Sequence, residues 1–376
     1  IETNSSGKIM KTLKREYSRS GKNIQTNLIS EVQEYAFNNL KGMSASAVMI
    51  NCENGGVNCL VSTPSFDNNE FSNGVSRKRW DSLINDQKKP LLNKSIAGLY
   101  APGSTLKLLT ALYVLTGLNF NPQQNFFCDG KVELGSHKFH CWKRKGHGNL
   151  NLFDAIKQSC DCYFYNLAKK INIDDLAKFC KEFSIGEITN IDIPNELRGV
   201  MPNQKWKKEK IGDRWHLGET FNTVIGQGFA LSTPLQIATM TARIATGKKI
   251  IPTVIRQKSY VFQDLDIPIE KLNFIRKSMF AVVNEEMGTA FASKLNSRYK
   301  MAGKTGTSQV RRITISERES EKGVLENQEL PYDLRDHSIF TCYAPYNNPK
   351  VALTVLVEHM GSGSKIAAPI AKNIMD

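Results

Sequence analysis

Apolar positions dominate residues 100–115, which read YAPGSTLKLLTALYVL. Pro102 and Gly103 indicate a turn, and the residues that follow favour a buried helix over residues 105–115. Ser104 is therefore predicted at the first turn of that helix. Unpaired backbone N–H groups and the positive end of the helix dipole stabilise an oxyanion at such a place, so Ser104 is a candidate nucleophile.

Strand-like patterns lie near both ends of the chain. Two apolar runs flank Gly55 and Gly56 in residues 45–62, which predicts a β-hairpin. Cys52 and Cys59 would face each other across it, either as a disulfide or, the favoured alternative, as two buried thiols. Beyond residue 250 the chain is predicted to turn to strands, at residues 299–310, 338–344 and 350–358.

Helical spacing fills much of the remaining chain. Residues 27–40 and 366–375 each place apolar side chains on one face, and Thr233 and Pro234 suit the N-cap and first position of another helix. This order predicts an α+β fold with one antiparallel five-stranded sheet flanked by helices. A helical subdomain, at about residues 95–250, is inserted between the early hairpin and the late strands, and the active site is expected at the seam.

Three segments are expected to lie outside this framework. Residues 1–20 are polar and basic and are predicted to be the remnant of a preceding linker or pedestal region, which leaves residues 21–376 for the catalytic domain. Residues 64–93 are predicted as a loop. Residues 311–336 are highly charged and lack a clear period, so a mobile loop is expected there.

A second group next to Ser104 strengthens its candidacy. Lys107 lies three residues further on, and residues three apart share one face of a helix, so the Lys107 amine can reach the Ser104 hydroxyl. Only this serine has a Pro-Gly turn before it and a long apolar helix after it. The same Ser-x-x-Lys pattern also occurs elsewhere, as at Ser297 with Lys300 and at Ser362 with Lys365.

Two further motifs fit this pair. Ser159-Cys160-Asp161 offers a hydroxyl and a carboxylate at the head of a predicted helix, although Ser65 and Asp67 match the same short pattern. Lys-Thr-Gly occurs once, and its glycine allows close approach of a ligand backbone. It places a cation and hydroxyls on a predicted strand, at Lys304, Thr305, Gly306 and Thr307. The three motifs in this order are typical of serine acyl-transfer enzymes.

With these motifs the chain resembles the transpeptidase domain of class B penicillin-binding proteins, and most of all the penicillin-binding protein 2 branch that serves cell elongation. Other blocks that resemble this family are STPSFDNNEF, FNTVIGQGFALSTPLQIA, DHSIFTCYAP and VLVEHMGSGSKIAAPIA. The family's usual second motif is Ser-x-Asn, and the elongation branch commonly has Ser-x-Asp, as here. The likeness runs from about residue 21 to the C-terminus.

The resemblance implies a peptidoglycan D,D-transpeptidase that cross-links stem peptides through a serine acyl-enzyme and is inhibited by β-lactams. Ser104 would attack the penultimate D-alanine of a D-Ala-D-Ala stem peptide, with Lys107 as general base. Ser159 would relay the proton to the leaving amine, and Asp161 would hold the polar network. The substrate carboxylate would be bound at the third motif, by Lys304, Thr305 and Thr307, where Gly306 leaves room.

A metal site is also expected. Cys128, Cys141, His147 and Cys160 are spaced by 13, 6 and 13 residues. Three thiolates and an imidazole complete a tetrahedral structural zinc site, but spacing alone leaves zinc and four unrelated residues equally favoured. The block FHCWKRKGHG resembles family members that carry a metal, which favours Zn²⁺. The alternative ligands are Asp129, His140 and Cys162.

The composition restricts which partners and functions are expected. The net charge is +14, yet Lys and Arg are spread along the chain without interleaved aromatics, so no nucleic-acid partner is expected. No run of 18 apolar residues occurs. The family implies a bacterial inner-membrane protein whose single-pass anchor is missing from this chain, a periplasmic catalytic domain, and a SEDS-type glycosyltransferase and elongation complex as partners. A β-lactamase or β-lactam sensor, and a scaffold without catalysis, are the competing hypotheses.

Overall fold

A computed structural model describes residues 1–72, 74–311, 313–314, 317 and 324–376. Its strands, in chain order, are β1 (Glu2–Thr3), β2 (Ile9–Lys11), β3 (Ala45–Asn51), β4 (Val57–Thr63), β5 (Phe126–Cys128), β6 (Lys131–Leu134), β7 (His137–His140), β8 (Gly148–Leu150), β9 (Ala302–Ser308), β10 (His337–Ala344) and β11 (Val351–Val357).

The α-helices of the described residues are α1 (Ser30–Leu40), α2 (Asn68–Ser72), α3 (Arg77–Ile84), α4 (Lys94–Ala97), α5 (Lys107–Gly117), α6 (Leu152–Lys157), α7 (Asp161–Ala168), α8 (Ile173–Lys181), α9 (Gln204–Ile211), α10 (Leu217–Val224), α11 (Pro234–Thr246), α12 (Ile269–Asn284) and a C-terminal helix (Ala367–Met375). Short 3-10 turns lie at Gly103–Thr105, Phe291–Ser293, Asn327–Glu329 and Tyr332–Leu334. None of the helices in the described part of the chain has the length and apolar character needed to cross a membrane.

Five strands form the central sheet, in the order β4-β3-β11-β10-β9, and every neighbouring pair is antiparallel. The early hairpin therefore joins the three late strands, as the sequence predicts. The hydrophobic segments β3, β10 and β11 are buried along nearly their whole length because helices cover both faces of the sheet. The strand that carries the Lys-Thr-Gly motif, β9, lies at one edge.

Two apolar cores lie on opposite faces of this sheet. The smaller core joins the sheet to α1 and the C-terminal helix, and the larger one joins it to the helical block that precedes β9. Helix α11 crosses the larger core and is buried along almost its whole length. Its start is fixed as predicted, since Thr233 caps the Gln236 N–H, the Gln236 side chain returns to the Thr233 N–H, and Pro234 occupies the first position.

The prediction for the hairpin cysteines is resolved. A bulge between Met49 and Ile50 sets the register of β3 and β4, so that Cys59 faces Met49 and Cys52 lies beyond the paired residues. Both cysteines are free and buried, and burial raises the pKa of each thiol to about 12. The alternative of a Cys52–Cys59 disulfide is therefore wrong, and the favoured alternative of two buried thiols is confirmed.

Other expectations need correction or lie partly outside the described residues. Residues 64–93 are not only a loop, because α2 and α3 form there, with Ser76 capping α3. The chain beyond residue 250 also contains a long helix, α12, which packs against β9. The mobile loop expected at residues 311–336 lies partly outside the described residues, and its described part includes two of the 3-10 turns.

Candidate active site

Ser104 lies in the 3-10 turn that leads directly into α5, as its Pro-Gly context predicts. Gly103 has a φ of +55° and donates its N–H to the Gly226 carbonyl at 2.8 Å. A Cβ on Gly103 would lie 2.5 Å from the carbonyl oxygen of Thr307, so the turn packs directly on the backbone of β9. A residue with a side chain at position 103 would push the nucleophile away from the third motif.

The Lys107 side chain is completely buried and points from α5 toward the second motif. Its Nζ lies 2.6 Å from Asp161 Oδ1, 2.9 Å from the Ser159 carbonyl oxygen and 3.3 Å from Ser159 Oγ. The expected hydrogen bond to the Ser104 hydroxyl is not among the contacts of Lys107 in the described chain. The lysine instead links the first motif to the second, since Asp161 and Ser159 offer it three acceptors.

Lys304 approaches the same serine from the edge strand. Its Nζ donates to Ser159 Oγ at 2.9 Å and to the Thr305 carbonyl at 3.0 Å, and the side chain is completely buried. Burial, with repulsion from Lys107 second, holds the pKa of Lys304 well below its usual value, although the Asp161 charge opposes the shift. The Ser159 hydroxyl therefore lies between two amines that the chain supplies from distant motifs.

The backbone at Ser159 is held in an unusual conformation. Its φ is +57°, in the left-handed region that residues with a side chain rarely adopt. The strain is compensated because Ser159 N donates to the Ile156 carbonyl and Cys160 N to the Ala155 carbonyl, which closes the end of α6. The turn directs Ser159 and Asp161 toward the lysines at the head of α7.

The other residues of the third motif are close by. Thr305 shares a hydrogen bond of 2.7 Å with Thr289, and the Thr307 carbonyl accepts one of 2.8 Å from Gln227. A Cβ on Gly306 would lie 3.0 Å from Thr105 Cγ2 and 3.1 Å from the Pro102 carbonyl oxygen, which explains the glycine between the two threonines. The structure thus brings all three sequence motifs together at the seam between the sheet and the helical block.

Trp142 is a residue of this site that the motifs do not reveal. Its backbone N–H donates to Asp161 Oδ2 at 2.9 Å, and its indole N–H donates to the Ser159 carbonyl at 3.0 Å. Asp161 thereby bridges Lys107 and Trp142 with its two oxygens. The only sequence signal for this role is the position of Trp142 directly after Cys141, a predicted ligand.

The four predicted metal ligands also come together. One ligand atom from each of Cys128, Cys141, His147 and Cys160 lies within 4.8 Å of the other three. His147 Nδ1 is 3.6 Å from both the Cys128 and Cys141 sulfurs. The hydrogen bond between Cys128 and Cys160 lowers the pKa of the Cys128 thiol and raises that of Cys160, so these two residues favour one thiolate and one thiol when no cation is bound. Three buried sulfurs around one imidazole are the donor set of a closed tetrahedral zinc site.

Local structure explains why these residues meet. Cys128 ends β5 and pairs with Gly148 of β8, which brings His147 back to it along the chain. Cys141 follows β7, and its sulfur accepts the Asp161 N–H at 3.4 Å. Of the alternative ligands, Cys162 lies within hydrogen-bonding reach of Cys141, whereas Asp129 and His140 do not belong to the group of mutually close ligand atoms found among the described residues.

The Ser-x-x-Lys patterns at Ser297 and Ser362 lie away from this centre. Ser297 follows the 3-10 turn Phe291–Ser293 and donates its N–H to the carboxylate of Asp376. The Ser362 hydroxyl bonds to that of Ser364 at 2.7 Å. Neither position continues into a buried apolar helix like α5.

Comparison with known proteins agrees with the arrangement of motifs. Residues 45–376 match the penicillin binding protein transpeptidase domain. Over its whole length the chain is 33% identical to the peptidoglycan D,D-transpeptidase MrdA of Haemophilus influenzae, of which it covers 59%. It is 32% identical to the protein of that name from Escherichia coli K12, of which it covers 60%. The chain thus spans about three fifths of the length of these relatives.

Solved structures of penicillin-binding protein 2 have the same fold. The Helicobacter pylori protein, in its complex with MreC, matches with a TM-score of 0.87 and 33% identity, over 99% of this chain and 67% of that one. The Pseudomonas aeruginosa protein, in complex with WCK 5153, matches with a TM-score of 0.83 and 35% identity, over 94% of this chain and 78% of that one. The fold prediction is confirmed, and the chain belongs to the penicillin-binding protein transpeptidase family.

Proposed function

We propose that this chain is the catalytic part of a peptidoglycan D,D-transpeptidase that cross-links stem peptides during cell elongation. The observation that carries the proposal is the position of the Ser159 hydroxyl, 3.3 Å from Lys107 and 2.9 Å from Lys304, beside the turn that holds Ser104. Serine acyl transfer needs a nucleophile, a base and a path for the proton, and these four side chains supply them.

Acylation begins when Ser104 Oγ attacks the carbonyl carbon of the penultimate D-alanine while the Lys107 amine, in its neutral form, accepts the hydroxyl proton. The backbone N–H groups of Ser104 and Thr307 bind the oxyanion, and losing one such donor costs roughly 3 kcal/mol of barrier in other enzymes. The C–N bond then breaks, Ser159 passes a proton to the leaving amine, and D-alanine departs. The amine of a second stem peptide attacks the ester carbonyl and releases Ser104.

We propose that the edge strand β9 orients the substrate. Lys304 supplies an amine whose charged form a bound carboxylate stabilises, and the hydroxyls of Thr305 and Thr307 supply donors, for the terminal carboxylate of the stem peptide. Gly306 lets the peptide approach the backbone of β9. Asp161 keeps Lys107 and Ser159 in place through its contact of 2.6 Å with the lysine.

The cluster of Cys128, Cys141, His147 and Cys160 is proposed to hold a structural Zn²⁺. These four residues would fill the tetrahedral coordination of the ion, so a bound Zn²⁺ would contribute folding energy and leave no position open for water. Cys160 is the middle residue of the second motif, so its attachment holds Ser159 and Asp161 in register. Cys141 also helps to hold Asp161 in place, because its sulfur accepts the Asp161 N–H.

The biological setting follows from the family. We propose an inner-membrane protein with a membrane anchor outside this chain, a periplasmic catalytic domain over residues 21–376 with its helical subdomain near 95–250, and residues 1–20 as the end of a preceding region. The relative from Helicobacter pylori was solved with MreC, which supports an elongation complex as partner, with a SEDS-type glycosyltransferase in it.

Intact-protein mass after incubation with a penicillin tests the function. A stable adduct of drug mass on the native chain, absent from Ser104→Ala, is the expected result, since a transpeptidase deacylates slowly. Rapid turnover of a chromogenic cephalosporin would instead establish a β-lactamase. If neither an adduct nor turnover occurs, the proposal fails and a scaffold without catalysis replaces it.

A further inference from the structure

An exposed, positively charged loop borders the proposed active site. It lies between Cys141 and His147, and we call its four exposed residues the WKRK loop: Trp142, Lys143, Arg144 and Lys145. Cys141 before the loop and Gly146 after it are buried. The loop therefore projects from a fixed base.

The backbone of the WKRK loop is closely packed. Gly146 N donates to the Lys143 carbonyl at 2.9 Å, and His147 N donates to the Cys128 carbonyl at 3.0 Å. A Cβ on Gly146 would lie 2.1 Å from the Cys128 carbonyl oxygen, and one on Gly130 would lie 2.1 Å from that of Arg144. These contacts hold the charged side chains in a defined place, which lowers the entropy cost of binding a ligand there.

Trp142 shows an unusual distribution of polar and apolar surface. Tryptophan side chains commonly bury the ring and keep the N–H near water. Here the N–H is turned inward to the Ser159 carbonyl at 3.0 Å, while 59% of the residue is exposed. The apolar ring is therefore presented to solvent directly beside the second motif, where a bound substrate could cover it.

Three cations follow this ring in consecutive positions. Within the described chain, none of Lys143, Arg144 and Lys145 forms a salt bridge, so their charges repel each other without compensation. Three residues span at most about 11 Å, which places all three within that distance of Trp142 along the backbone. A peptide residue two or three positions before the scissile bond lies about 7–11 Å from it.

We propose that the WKRK loop recognises a carboxylate on the peptide substrate, two or three positions before the scissile bond, while Trp142 packs against the apolar part of that segment. The inference rests on the proposed function and names a chemical feature of its substrate. Charge complementarity carries it, because an anionic peptide both relieves the repulsion between the cations and covers the exposed ring.

Two synthetic peptides that end in D-Ala-D-Ala test this inference. One carries a free side-chain carboxylate at the stated position, and the other carries a primary amide there. Each competes with a fluorescent penicillin for acylation of the chain. We expect the acidic peptide to compete roughly tenfold better at low salt, as several exposed charge pairs would give, and the advantage to shrink at high salt.

The triple variant K143Q/R144Q/K145Q should lose this preference and keep its acylation by penicillin. Its matched control is K8Q/K11Q/K22Q, which removes three exposed charges outside the family match and should keep the preference. Equal competition by both peptides, no competition by either, or an unchanged preference in the loop variant would overturn the inference. Failure of the native chain to react with penicillin would instead count against the proposed function.

Discussion

The segment Ser159-Cys160-Asp161 separates two clusters with different chemistry. On one side, Ser159 and Asp161 contact the amines of Lys107 and Lys304 next to the turn that holds Ser104. On the other side, Cys160 joins three further ligand candidates in a buried group. We propose that the lysine side carries the nucleophile and transfers protons, whereas the four ligands of the thiol side would leave a bound Zn²⁺ no position open for a substrate.

This difference shows how one short segment can serve two roles. Successive residues of the segment project to opposite sides, so fixing Cys160 also fixes its two neighbours. The left-handed φ of +57° at Ser159 is a strained conformation, and attachment of Cys160 to the proposed Zn²⁺ would help to maintain it. In this account the lysine side of the turn carries out the reaction, and the thiol side keeps the turn rigid.

The largest effect is expected on the lysine side. Lys107→Met should lower the rate constant of acylation by a fluorescent penicillin about 10²- to 10⁴-fold, because the general base is removed. Lys94→Met is the matched control, since Lys94 is also fully buried but donates to the Lys88 and Lys89 carbonyls. Equal losses in both variants would mean that burial of a lysine, and not base catalysis, explains the effect.

A smaller effect is expected on the thiol side. Cys141→Ser should reduce the zinc content of the purified chain and slow acylation about 10- to 100-fold, as loss of metal support does in other sites. Treatment of the native chain with a chelator should give the same two changes. Cys180→Ser, in a buried thiol of α8 outside the cluster, should change neither. A native chain purified without chelator that contains no metal would contradict the zinc proposal.

The link between the two sides is weaker and can be tested at Trp142. Trp142→Phe keeps an aromatic ring but loses the indole hydrogen bond to the Ser159 carbonyl. One such bond corresponds to about 0.5–1.5 kcal/mol, so acylation should slow roughly 2- to 12-fold with the zinc content unchanged. Trp80→Phe, in a tryptophan that is also exposed, should leave the rate as it is. An unchanged rate for Trp142→Phe would show that the indole hydrogen bond does not position Ser159.

The smallest effect concerns stability and pH. Because the pKa of Lys304 is lower in the folded chain than its usual 10.5, the unfolded chain binds this proton more strongly. The resulting destabilisation of the folded state is largest below the folded-state pKa of Lys304 and disappears as the pH rises toward 10.5. The melting temperature of the native chain relative to Lys304→Met should therefore increase with pH, and no such trend is expected for Lys300→Met, an exposed residue. A constant difference would contradict the shift.

Local patterns were sufficient for the sheet and for the turn that holds Ser104. The hairpin, the three late strands and the turn at Ser104 each have a signal within a few residues, and the structure places them as predicted. The helix α12 was missed although Leu272, Ile275 and Met279 follow helical spacing, so its signal was present.

Contacts between distant segments could not be read from spacing. Lys107 shares a helical face with Ser104, yet its long side chain turns to Asp161, 54 residues away, because a buried amine is best satisfied by a carboxylate. Trp142 contacts Ser159 only because β5 and β8 fold residues 128–148 back onto α7. The zinc site at Cys128, Cys141, His147 and Cys160 stays a prediction, which a family resemblance favoured because the spacing of these residues fits no general pattern.

The site of covalent labelling is the measurement that tests the account most directly. After reaction with a penicillin, digestion with trypsin and tandem mass spectrometry should locate the drug on Ser104, in the peptide of residues 95–107 that ends at Lys107. Labelling of another Ser-x-x-Lys serine, such as Ser297 or Ser362, or of Ser159, would contradict the assignment of the nucleophile and with it the proposed mechanism.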